Sequence, residues 1–139
     1  MTSYVQTVSV NHKTALRAVG VAIEEGAKIG LAVAVTVVDP SLGLVAFGRA
    51  DGTTPHSVQT SRRKANTGAS TRRPSGWMQG DFAVALPMGS ANLLTNIRGG
   101  FPLVVEGKHI GGLGVAGGTP DQDAEVALAT LSALGLETP

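Results

Sequence analysis

Chemistry has few places to reside in this 139-residue chain. It contains no cysteine, which removes disulfides, thiolate nucleophiles and sulfur-ligated metals. Three histidines remain, His12, His56 and His109, at spacings that match no metal motif. His12 and His56 each fall near a predicted helix start. There an imidazole titrating near neutrality can serve a ligand, an iron atom or a reacting proton. In an enzyme, His12 or His56 would be the general base acting on a small acid. The plainer reading of each is a structural histidine. No nucleophile-elbow spacing surrounds a serine, so serine-triad chemistry is rejected.

The second group of candidates is basic. Arg62, Arg63, Lys64, Arg72 and Arg73 crowd into twelve positions, and no acid occurs between Gly52 and Gly80. Such a patch can hold phosphates or grip a carboxylate bidentately. No aromatic residues interleave it, which disfavours nucleic acid, and the net charge of +1 implies no general taste for polyanions. Arg72 and Arg73 have no local acid and are expected to be free for an anionic ligand. Arg49, Asp51 and Lys64 are expected to form an ion network where a hairpin enters a helix. The third candidate is Gly117-Gly118-Thr119-Pro120, a strand-to-helix turn whose amides and helix dipole would suit an anion. Asp121 and Asp123 just beyond it oppose one.

The elements that position these groups can be read from periodicity. Ser9 to Gly30 reads as a helix capped by Ser9 and ended by Gly26 or Gly30, with Leu16, Val19, Ile23 and Ala27 on one face. His12 would share that face. Leu31 to Asp39 is a short apolar, β-branched run that predicts a covered strand. Turn residues 40–43 return the chain as a second strand over Leu44–Arg49. Thr54-Pro55 starts a second helix to about Ala69, whose apolar face is weak enough to place it on the surface or in an interface. Residues 70–100 read as irregular. Phe101–Glu106 and His109–Val115 form a second hairpin, and Thr119, Pro120 and Gln122 form a capping box. The last helix then carries Ala124, Ala127, Leu128, Leu131 and Leu134 to Gly135.

This order predicts one α+β domain over residues 1–139 with a mostly antiparallel sheet. Hydrophobic residues make up 42% and charged residues 15%, against a disordered chain. No apolar run reaches the ~18–20 residues needed to span a membrane, and no secretory pattern opens the chain. A cytoplasmic location is the expectation.

Three runs carry a resemblance: VAVTVVDPSLGLVAFGRADG, RRKANTG and FPLVVEGKHIGGLGVAGGTPDQDAEVALATL. They resemble the GlcG/HbpS family, which includes the C-terminal domain of PduO-type proteins. The matching positions are Val37, Val38 and Asp39; Arg49, Asp51 and Gly52; Lys64, Ala65 and Thr67; and Gly111 to Asp123. The resemblance implies a five-stranded antiparallel sheet flanked by helices, and assembly into homo-oligomers. It implies haem or another tetrapyrrole as ligand, with propionates on Arg62, Arg72 or Arg73 and iron on His12. Two departures are visible. Ala116 stands where the family usually has serine, and the segment with Arg72, Arg73 and Trp77 differs from the usual pattern, which suits a small anionic metabolite.

The leading expectation is a small-molecule-binding domain with its pocket between helices and sheet. Its candidate ligand-binding residues are Arg49, Arg62, Lys64, Arg72, Arg73, Gly117 and Gly118. The alternatives are a cofactor-free isomerase, lyase or hydrolase acting on a small carboxylate, and a structural oligomerisation module.

Overall fold

The computed structural model describes residues 2–139. Helix α1 spans His12–Lys28 and is capped by Asn11, whose Oδ1 accepts the Thr14 N–H at 2.8 Å; the expected cap, Ser9, lies outside it. Its buried side is Ala15, Ala18, Val19, Ala22 and Gly26, while Leu16 and Ala27 are exposed. The inward face is thus rotated from the one expected. The alanine row permits a closer approach to the core than leucine would, and His12 points outward with Leu16.

Strands β1 (Ala34–Val38), β2 (Leu44–Arg49), β3 (Gly100–Val105) and β4 (Lys108–Ala116) form one antiparallel sheet in the order β2-β1-β4-β3. Both hairpins fall where expected. The Asp39 carboxylate accepts the N–H groups of Ser41 and Gly43 and so shapes the first turn. The sheet has four strands, not five. The segment before α1 is exposed through Ser9, and only Val10 joins the core, its N–H donating to the Ile110 carbonyl at 2.8 Å. One bond does not make a ladder.

One face of the sheet is covered by α1 and by α4 (Pro120–Ala133). The capping box of α4 forms as expected, with Thr119 and Gln122 satisfying each other's backbone N–H groups. Its inward residues are Asp123, Ala124, Val126, Ala127, Thr130 and Leu131, with Leu128 and Leu134 half-buried. Leu131→Ala is therefore expected to cost about 2–5 kcal/mol through a cavity, and Leu128→Ala less. Urea unfolding of the two variants measures this order.

The opposite face is covered by α2 (Ser57–Thr71), which overturns its expected surface position: eight of its residues are buried. A helix with few large apolar side chains is buried here because backbone meets backbone. A Cβ added at Gly114 would overlap the Ser61 carbonyl oxygen, one at Gly112 that of Ala65, and one at Gly100 that of Lys64. Glycines at alternate positions of β4 form a trough that receives the Ser61–Ala65–Gly68–Ala69 side of α2. Buried hydroxyls pair along it, Thr36 with Ser61 at 2.8 Å.

The stretch read as irregular contains a further helix, α3 (Phe82–Gly89), with Pro87 in its last turn and no buried residue. The loop after it is tied to α2: Asn66 donates to the Leu93 carbonyl at 3.0 Å, and the Thr67 hydroxyl accepts the Thr95 N–H at 2.9 Å. These two bonds account for Asn66 and Thr67 of the RRKANTG run.

Candidate functional site

A cavity of about 380 Å³ opens where α2 and α4 both begin. Thr54, His56, Ser57, Thr60 and Lys64 line it from the α2 side, Ala116, Gly117 and Gly118 from the end of β4, Pro120 and Asp123 from α4, and Ile97 from the loop after α3. Its volume lies within the range of small-molecule sites.

The floor is an ion pair. Lys64 Nζ lies 2.8 Å from Asp123 Oδ2 and donates to the Val115 carbonyl at 2.9 Å, with only 1% and 3% of the two side chains exposed. Asp123 Oδ1 accepts the Gly118 N–H at 2.8 Å. Burial lowers the Lys64 pKa from its ordinary value, and the hydrogen bond and charge of Asp123 raise it by less. Lys64 is therefore not part of a network with Arg49 and Asp51; it reaches across the sheet end to α4. Gly117 and Gly118 serve a close turn, since Cβ atoms there would meet the Ala32 carbonyl at 2.5 Å and Leu31 Cδ1 at 2.6 Å.

The two helix starts differ. At the start of α4 the Thr119 and Gln122 amides are taken by the capping box, and the Gly118 amide just before it by Asp123. The start of α2, after His56, has no side-chain cap, and beside it the Thr54 and Ser57 hydroxyls lie 2.6 Å apart. The Ser57 and Val58 N–H groups donate to the Thr54 and Pro55 carbonyls, so what this end offers an anion is the helix dipole, the hydroxyls and an imidazole. Asp121, the other first-turn acid of α4, is paired with Arg98, so its charge is answered.

The structure thus gathers His56, Lys64, Gly117 and Gly118, and leaves the other candidates apart. His12 is exposed as the first residue of α1. Arg49 is exposed at the end of β2. Arg62 bends back, donating to the Leu42 carbonyl at 2.9 Å and to Asn66. Arg72 is the left-handed C-cap of α2. Arg73 is not free as expected: its guanidinium stacks on Trp77, 4.1 Å from the ring centroid. Among the described residues no three His, Asp or Glu side chains gather to hold a metal ion. Sequence alone reads Asp123 as a dipole partner of its own helix. The signal for its larger role is Lys64, placed on the inward side of α2 and so in need of a buried acid.

His109 sits elsewhere, bonded through Nε2 to the Ala69 carbonyl at 2.8 Å, with Nδ1 buried and unpartnered. Burial and, secondarily, the nearby Arg72 charge lower its pKa, against the Ala69 bond. The unfolded chain then binds the extra proton first. Stability should be level above roughly pH 6.5, where the unfolded imidazole is neutral, and decline as pH falls toward the lower folded pKa. Melting curves between pH 7.5 and 5 check this, and His109→Gln should flatten the decline.

A four-stranded antiparallel sheet with one helix packed on its glycine-rich face defines an α+β domain with a cavity at one end. Residues 10–132 match the family described as "Haem degrading protein HbpS-like", and the chain belongs to that family. Protein GlcG of Escherichia coli K12 is 35% identical over 94 residues, covering 67% of this chain and 70% of that one. Among solved structures, a double mutant of HbpS from Streptomyces reticuli has a TM-score of 0.86 at 29% identity, covering 97% of this chain and 93% of its own. A PduOC:Heme complex has a TM-score of 0.86 at 23% identity, covering 94% and 99%, a likeness of fold alone.

Proposed function

We propose that this protein is a small-molecule-binding domain that holds its ligand by a carboxylate at the α2 end of the cavity. The observation that carries the reading is the cluster of His56 and the hydroxyls of Thr54, Ser57 and Thr60 at the positive end of the α2 dipole, above a neutralised Lys64–Asp123 floor. The one acid in the lining, Asp123, is paired with Lys64, so no unanswered negative charge opposes a carboxylate there.

Haem is the second reading, favoured by the family's description and by the neighbour solved with heme. A macrocycle needs apolar walls and an axial ligand. The cavity is walled by Ile97, Ala116 and Pro120 as well as by hydroxyls and the ion pair, and His56 is the one histidine that lines it, His12 standing on the outer surface. A haem propionate carries the same carboxylate that the first reading places at the α2 end of the cavity.

Thermal shift with a panel of small carboxylates, beside a haem titration followed at the Soret band, tests both. A rise in melting temperature with acids, lost in Thr60→Val with His56→Ala, supports the cavity. A Soret shift without any response to acids makes haem the ligand and the cavity incidental.

Self-association is part of the proposal, now for α3 rather than α2. Phe82, Val84 and Met88 are exposed on that helix, and Leu93 and Ile97 follow in the loop. Apolar patches of this kind are commonly covered by a partner. Light scattering should give a mass above 14.1 kDa at micromolar concentration, and Val84→Glu with Met88→Glu should lower it. No described helix is long and apolar enough to cross a membrane.

A further inference from the structure

One group in the cavity floor is placed for covalent chemistry. An ammonium has three N–H groups, and Lys64 spends two, on Asp123 and on the Val115 carbonyl. The third has no protein acceptor among the described residues, and the side chain lines the cavity. On another side the amine is boxed in, since a Cβ at Gly99 would stand 2.9 Å from Nζ. Asp123 Oδ2, 2.8 Å away, is a proton acceptor already in contact.

Resting on the reading that the cavity holds a carboxylate, we propose that Lys64 captures the carbonyl carbon of a small 2-oxo acid as an iminium ion. The acid's carboxylate takes the start of α2 and its carbonyl takes the third N–H direction of Lys64. Asp123 removes one proton from the ammonium, the amine turns about its Cε–Nζ bond so that the freed lone pair faces the cavity, and that lone pair attacks the carbonyl carbon. A second proton moves from nitrogen to the former carbonyl oxygen, giving a carbinolamine. Asp123 then returns its proton to that hydroxyl, which leaves as water as the C=N bond forms. The pair thus changes from ammonium and carboxylate to iminium and carboxylate, with one water released and no other reactant. Burial, which already favours the uncharged amine, assists the first step.

The test is reductive trapping on the intact chain. The protein is incubated with pyruvate, reduced with sodium borohydride, digested and mapped by mass spectrometry. The expected product is Lys64 carrying the mass of pyruvate less one oxygen atom, at about tenfold or more the yield at Lys13, Lys28 and Lys108. Lys64→Met, shown folded by circular dichroism, should lose the label. Equal labelling of all four lysines, or none, overturns the proposal. Propionate separates this failure from that of the binding reading. If propionate and pyruvate both raise the melting temperature while nothing is trapped, the carboxylate site stands and the covalent step falls. If neither acid raises it and nothing is trapped, both fall.

Discussion

Asp123→Ala should lower stability by about 3–5 kcal/mol, because it leaves the Lys64 ammonium buried with a single carbonyl for company. In a domain of this size that corresponds to a drop in Tm of roughly 10–20 °C. The loss measures an uncompensated charge, not the worth of the pair. Removing both charges together, Lys64→Met with Asp123→Leu, should therefore restore much of it, since well-packed apolar replacements of buried ion pairs are often neutral or better. A double-mutant cycle by urea unfolding decides the matter. If Asp123→Ala is as stable as wild type, the ion pair is not formed in solution. The Gly118 N–H would also lose its acceptor, so the turn into α4 should loosen along with the α2 contact.

Gly114→Ala is expected to be as damaging, at about 3 kcal/mol or more, the upper end of what overpacking costs. A methyl group there would overlap both the Ser61 carbonyl oxygen and the Ala65 nitrogen. Both are backbone atoms and cannot turn aside as a side chain can. Gly20→Ala is the control, for nothing lies within 4 Å of its added Cβ in the middle of α1. That change should stabilise by about 0.5–1 kcal/mol through helix propensity alone. Equal responses of the two variants in thermal melts would show that α2 does not ride directly on β4.

What can be read from sequence follows from how each element makes its contacts. The second hairpin and α4 announce themselves through local chemistry, in the turn at Gly107 (Glu106-Gly107, one residue before the expected Gly107-Lys108), the Thr119–Gln122 box and the stop at Gly135. The depth of α2 is hidden because its packing relies on missing side chains. Ser61, Ala65, Gly68 and Ala69 register as polar or small, and hydropathy assigns them outside. Helix α3 is hidden for the opposite reason. Its FAVALPMG run is apolar all round with a proline inside, and it buries nothing within this chain. At the site, four candidates converge because two helix starts and the end of β4 meet at one end of the sheet. The arginines do not, because Arg62 finds the Leu42 carbonyl and Arg73 the Trp77 ring.

The glycine trough also leaves a calorimetric mark. When an ordinary helix leaves a sheet, mostly hydrocarbon meets water, and the heat capacity rises. Peeling α2 from β4 wets peptide groups instead, and hydrating polar surface lowers the heat capacity. Unfolding this chain should therefore show an increment below the usual ~12–15 cal/mol/K per residue. Its stability would then change more gently with temperature than its size alone suggests, and the cavity at the end of that trough would keep its shape across a wider thermal range.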